Sequence, residues 1–348
     1  APVVAMLAAL ALVAAGCGGR SATTAATGRV AIGHGLQGPA GLKATVFATG
    51  LRNVSAFAFD ASGRLWATTS AASDHSHDGV YMIPRGGGRP VEVISDVKGP
   101  LGLVWHAGRL YVTSLGRVDV FSDLRGMRFA KRTAVIVEPA GHGWNNAIVA
   151  LPGGTLAMSI TAACDHCVSH SRWSGTIVSF RPDGSGVRVY ASGIRAPFGV
   201  VYDMTSGALL TSMNQRDDLG AKTPGDWLAL VRDGQNWRFP GCYGQGGGAC
   251  RGVPAPLAVL DKHAAAGGVA IVSGQLGSAV GHVALVTEWA RGSVLNVPLR
   301  RSGAGYASAR ATPLLTGFKN PLPLAVASDG ALLVGDWSRG TVYRIAHL

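Results

Sequence analysis

Short apolar runs separated by glycine-bearing turns set the rhythm of this chain. Two such runs flank a turn in AFAFDASGRLWATTS, LGLVWHAGRLYVTSL, NAIVALPGGTLAMSI, FGVVYDMTSGALLTS, VAIVSGQLGSAVGHVALVTEW and LAVASDGALLVGD. Their shortness and their wealth of β-branched and aromatic residues predict a β-hairpin in each. The glycines opening the second runs are Gly63, Gly108, Gly154, Gly207, Gly281 and Gly330, spaced by roughly 45 to 75 residues, a period that marks a repeat architecture.

Each hairpin is followed by a third run: GVYMIP, GRVDVFSD, GTIVSFRPD, DWLALVRDG, GSVLNVPL and GTVYRI. A fourth precedes the next repeat in PVEVISDV, RTAVIVE, VRVYASGI, APLAVL and ATPLLTGF, so the sixth repeat lacks one. ATVFATGL, residues 44–51, has the same cadence and lies before the first hairpin. Four-stranded sheets that bury both faces only against neighbours close into a ring. The sequence therefore predicts an all-β, six-bladed β-propeller whose N-terminal strand completes the last blade.

The remaining N-terminal residues predict a different fate. Residues 1–17 are apolar up to Ala14-Ala15-Gly16-Cys17, which reads as a lipoprotein-type export segment with Cys17 as the lipidated residue. Residues 18–42 read as a flexible tether, and residues 43–348 as the propeller. The expected location is extracytoplasmic, anchored to the cell membrane by the lipid, on the periplasmic side or at the cell surface. Ordinary secretion with an incidental Cys17 is the alternative.

Without Cys17 an even number of cysteines remains, as expected of an exported protein. Cys164 with Cys167 and Cys242 with Cys250 are local pairs, read as two disulfides; zinc held by Cys164, Cys167, His166 and His170 is the other reading. The net charge of +12 comes from scattered arginines rather than a basic-aromatic stripe, which argues against nucleic acid as a partner.

Loops that meet at one end of a propeller carry its chemistry. The polar candidates are AGHGWNN (140–146), Gly193 to Pro197, and MNQRDDLG (213–220). The last suits oxygen ligation of calcium and the grip of an anion, or is a polar turn bonded to its own backbone. The loop with Asp74, His75, His77 and Asp78 reads as a solvated turn or a metal site, the former favoured. Trp66, Trp105, Trp289 and Trp337 are expected to pack within blades, and His263 and His282 to have no chemical role.

From about residue 44 to the end, the chain resembles the soluble quinoprotein glucose/sorbosone dehydrogenase family. The resemblance rests on SFRPDGSGVRVYASGIRAPFGVVYD, MNQRDDLGAKTPGDWLALVRDGQNWRFPGCYG, EWARGSV and GFKNPLPLAVASDGALLVGDWSRGTVYRI. It implies oxidation of a sugar, an aldose or sorbosone, by pyrroloquinoline quinone (PQQ) with calcium. His142 would take the proton as catalytic base, Arg195, Asn214, Arg216 and Arg291 would contact the cofactor, and Gln215 and Arg216 would ligate calcium through their backbone carbonyls.

Several positions depart from the family pattern. The family histidine aligns with Gly143, an expected arginine is replaced in the Asn145-Asn146-Ala147 stretch, and Ala196 stands for an asparagine. Asn320-Pro321-Leu322 replaces a late arginine. A tricarboxylate cofactor needs cationic partners, so these changes predict weakened quinone binding. The alternatives are a non-catalytic propeller that binds carbohydrate or protein, and a calcium-dependent lactonase-like hydrolase.

Overall fold

Every repeat folds into an antiparallel sheet, and the sheets stand around a central channel. The structure, a computed structural model, describes residues 28–71, 74–75, 77–137, 143–244 and 248–348. From the channel outward, the first blade is Val54–Phe59, Leu65–Thr69, Gly79–Ile83 and Val91–Ile94. The second is Gly102–His106, Arg109–Ser114, Arg117–Arg125 and Arg128–Val137. The third runs Asn145–Ala150, Leu156–Ile160, Thr176–Phe180 and Arg188–Ala191; the fourth runs Ala196–Asp203, Ala208–Asn214, Gly225–Val231 and Ala258–Lys262. The fifth has Ala266–Ser273, His282–Glu288, Ser293–Pro298 and Thr312–Thr316. In the sixth, Pro321–Val326, Leu332–Asp336 and Thr341–His347 are joined by the N-terminal strand Leu42–Ala48.

The expected closure is thus present: Val46 faces Tyr343 and Ala44 faces Ile345 in an antiparallel register. Of residues 18–42, expected as a tether, 18–27 lie outside the described residues, and 30–38 belong to the propeller instead. Val30–Gly33 and Leu36–Gly38 form a hairpin that extends the fifth blade through Gln37 opposite Thr316. Ile32 and Leu36 explain it, because both are buried in the core shared by the fifth and sixth blades.

Apolar side chains fill the space between blades. Trp66 of the first blade is fully buried against Trp105 and Phe129 of the second, with ring centroids 5.7 and 5.4 Å away. Polar locks join the sheets nearer the axis. Thr113 Oγ1 donates to the Asn146 carbonyl (2.6 Å), Ser212 Oγ to that of Gly267 (2.6 Å), and Thr287 Oγ1 to that of Leu322 (2.8 Å). Each ties the second strand of one blade to the innermost strand of the next. Glycine lets those strands converge: a Cβ on Gly199 would stand 2.3 Å from the Gly267 carbonyl oxygen.

Candidate functional site

At one end of the channel, the starts of the innermost strands and the ends of the second strands surround a cavity of about 590 Å3. All three polar loops singled out in the sequence reach it. Trp144 and Asn146 come from the first, Arg195 and Ala196 from the second, and Asn214 and Asp217 from the third. Asp226 enters from the third strand of the fourth blade, His263 from the loop after that blade, and Trp289 and Trp337 from the fifth and sixth blades.

Beyond Leu101, Phe198 and Leu322, which border both spaces, a second cavity of about 540 Å3 occupies the other part of the channel. Inner-strand residues such as Phe59, Trp105 and Tyr202 line it, with no charged side chain among the described residues. The ionisable chemistry therefore gathers at the first mouth.

Arg195 lies in the wall of that mouth, held by its surroundings. Its guanidinium pairs with the Asp165 carboxylate, donates to the Asn214 carbonyl at 3.4 Å, and stands 3.5 Å from Asp217. Asp165 also accepts from the Asp217 and Asp218 backbone N–H groups at 3.0–3.2 Å. The Cys164–Cys167 disulfide frames this clamp in sequence.

Asn214 donates through Nδ2 to the Ala266 carbonyl (3.1 Å), and its buried Oδ1 meets no donor. Gln215 is buried, its N–H on Asp226 Oδ1 (2.9 Å) and its Oε1 accepting from Gly244 (3.4 Å). Arg216 does not line the cavity. It is buried behind it, paired with Asp218 at 2.5–2.6 Å and lying over the Tyr243 ring at 4.5 Å. Arg291 is also outside the lining; it is exposed and donates to the Lys262 carbonyl at 2.6 Å. His142 and Cys17 lie outside the described residues. Cys242 and Cys250 are bonded as a second disulfide beside Trp227 and Trp237.

Asp226 is a lining residue the sequence reading passed over. It is buried, and accepts from the N–H groups of Gln215 (2.9 Å) and Ala266 (3.1 Å). Burial lifts its carboxyl to about 6 against those two hydrogen bonds, with Asp217 adding to the rise and Arg195 opposing it. Asn146 is wholly buried, donates to the Pro197 carbonyl (2.9 Å), and keeps an Oδ1 without a donor.

Trp289 and Trp337, expected to pack within blades, instead wall the cavity, their rings 5.6 Å apart and near perpendicular. The signal for them was positional: each follows an acidic residue that ends a second strand, Glu288 and Asp336. His263, to which no role was given, also lines the cavity and pairs with Asp217 at 3.0 Å. Asp78 is buried and gathers the N–H groups of Ala71 (2.8 Å) and Gly99 (2.7 Å) with His75 Nδ1 (2.7 Å), tying the first loop to the mouth. No group of three or more His, Cys, Asp or Glu among the described residues is arranged to hold a metal.

The six-bladed propeller is also the fold of known sugar dehydrogenases. The PQQ-bound aldose sugar dehydrogenase of Streptomyces coelicolor matches at 19% identity and a TM-score of 0.69, over 89% of this chain and 99% of that one. The holo PQQ domain of pyranose dehydrogenase from Coprinopsis cinerea matches at 16% and 0.74, over 89% and 97%. A calcium structure of a family AA12 carbohydrate-active enzyme from Trichoderma reesei matches at 16% and 0.72, over 92% and 100%. The chain thus shares the fold of PQQ-dependent sugar dehydrogenases at low sequence identity. No protein-family model and no curated protein matches it.

Do the residues of this mouth fit such a cofactor? Three indoles line the mouth and could pack on a planar ring, but a tricarboxylate needs free cations. Arg195, the one arginine of the lining among the described residues, is already clamped by Asp165 and Asp217, while Asp217 and Asp226 add negative charge. The arrangement does not fit a tricarboxylate.

Proposed function

We propose that this chain is a carbohydrate-binding propeller with the sugar-dehydrogenase fold, and that a sugar ring enters the mouth walled by Trp144, Trp289 and Trp337. The observation that carries this reading is the pairing of half-buried indoles with acceptors that lack donors: the Asn146 and Asn214 amide oxygens. Indoles cover the apolar face of a sugar ring, and amides and carboxylates take its hydroxyls. The sugar dehydrogenases that share the fold support the same ligand class. Titration of tryptophan fluorescence with a panel of aldoses tests it; no response to any sugar would refute it.

Quinone-dependent oxidation of an aldose with calcium at Gln215 and Arg216 is the second reading, favoured by the near full-length likeness to a PQQ-bound enzyme. The clamp on Arg195 weighs against it. Addition of quinone and calcium, followed by a search for sugar-dependent dye reduction, separates the two readings. His142→Ala would then abolish turnover and leave sugar binding intact. Export, supported by the two disulfides, belongs to the proposal as well, and lipid attachment at Cys17 is proposed from the sequence pattern alone. Loss of membrane association in Cys17→Ala would be the expected result.

A further inference from the structure

We infer that the sugar taken at this mouth is an amino sugar, its ring against the tryptophans and its ammonium held between Asp217 and Asp226. The inference rests on the sugar reading above and sharpens it.

The charge of the lining runs against that of the molecule. In a chain of net charge +12, the described residues of the mouth include two carboxylates and one arginine, and that arginine is paired within the wall with Asp165 and Asp217. His263 is turned to Asp217 as well. A ligand with negative charge would meet Asp217 and Asp226 without a free guanidinium in return.

The buried amides repeat the message. Asn146 and Asn214 each use their amide nitrogen on a backbone carbonyl, which leaves their Oδ1 atoms as acceptors in need of hydrogens. A hydroxyl brings one hydrogen, whereas an ammonium brings three and a positive charge. The indoles favour the same group, since a cation is drawn to the face of an aromatic ring. Trp337 is held for this task by its Nε1–H on the Ser70 carbonyl at 3.0 Å. A bare metal ion is the poorer occupant, because no cluster of three or more suitable ligands exists among the described residues.

The test titrates the purified chain at pH 7 with D-glucosamine, D-glucose and N-acetyl-D-glucosamine by calorimetry. D-glucosamine should bind at least about tenfold more tightly than the other two, a difference of about 1.4 kcal/mol. Asp217→Asn should reduce that preference to about threefold or less. Its side chain is 54% exposed, so folding is retained, and circular dichroism checks this. Asp226→Asn is the second variant with the same expected loss. Equal affinity for the three sugars, or an undiminished preference in both folded variants, would overturn the ammonium site and leave the sugar reading standing. No binding of any of them would overturn both.

Discussion

Two residues illustrate how the channel constrains its own wall. Gly199 sits where innermost strands of the fourth and fifth blades converge, and an added methyl would meet the Gly267 carbonyl oxygen at 2.3 Å and the Val269 nitrogen at 2.8 Å. Both are backbone atoms that cannot rotate aside, so Gly199→Ala should destabilise the protein by about 1–3 kcal/mol or more, read by urea denaturation. Asp226 is a buried acid with only backbone partners. Its native carboxyl stays protonated up to about 6, while the unfolded one releases its proton near the ordinary 3.8. The native state therefore binds more protons between those values, and stability falls as pH rises through them. The loss is complete above pH 6 and amounts to about 3 kcal/mol at most. Asp226→Asn does not titrate, so its stability relative to wild type should improve from pH 4 to pH 7. An identical difference at both pH values would contradict the shift.

At the scale of strands and loops, hydroxyl locks and disulfides do what apolar packing leaves undone. Thr113 Oγ1 satisfies the Asn146 carbonyl on the neighbouring blade, and Asn146 carries one of the unpartnered amide oxygens of the mouth. Thr113→Val keeps the shape and orphans that carbonyl, a loss of about 1–3 kcal/mol. It should also weaken sugar binding, since the start of the third blade loses its anchor. The Cys242–Cys250 bond closes a short loop at a sequence separation of 8, and its removal by paired alanine substitution should lower stability by about 2–3 kcal/mol. Peptide mapping without reductant should recover it. These elements were legible in the sequence to different degrees. Blade strands announce themselves by runs and turns, because each run must bury side chains on both faces. The three polar loops were likewise visible as breaks in that pattern. What stayed hidden were contacts that depend on direction. Trp289 and Trp337 read like the packed Trp66 because all three adjoin second strands, and only the fold separates a ring at the strand end from one within it. The pairing of Arg195 with Asp165, 30 residues away in sequence, has no local signature. Nor did the hairpin of Val30–Gly38 stand out, its strands being too short to show a period.

Ring closure connects the termini to the functional mouth. The strand Leu42–Ala48 lies along Thr341–His347, and Phe47, Ala48 and Leu51 are buried with Leu333 and Val342 of the sixth blade and Leu65 and Ile83 of the first. Leu42 and Ala44 join the neighbouring core with Tyr343 and Ile345. Burying the larger of these side chains contributes about 1.5–3 kcal/mol each. The strand is thus worth on the order of 5 kcal/mol, comparable with the whole stability of many domains. Closure also sets the mouth wall: the Asn53 N–H donates to the Trp337 carbonyl at 2.7 Å, and the Trp337 indole donates to Ser70 at 3.0 Å. Deletion of residues 1–27 should therefore leave melting temperature and sugar binding unchanged, whereas deletion through residue 48 should lower the melting temperature by about 10 °C or more and abolish binding. The expected coupling arises because the sixth blade, which carries Trp337, loses its outer strand and with it the packing that seats it against the first blade. A synthetic peptide spanning residues 42–50, added to the longer deletion, should restore part of both. Thermal melts and tryptophan fluorescence measured side by side decide the matter. If the longer deletion melts like the intact chain, the N-terminal strand does not close the ring in solution.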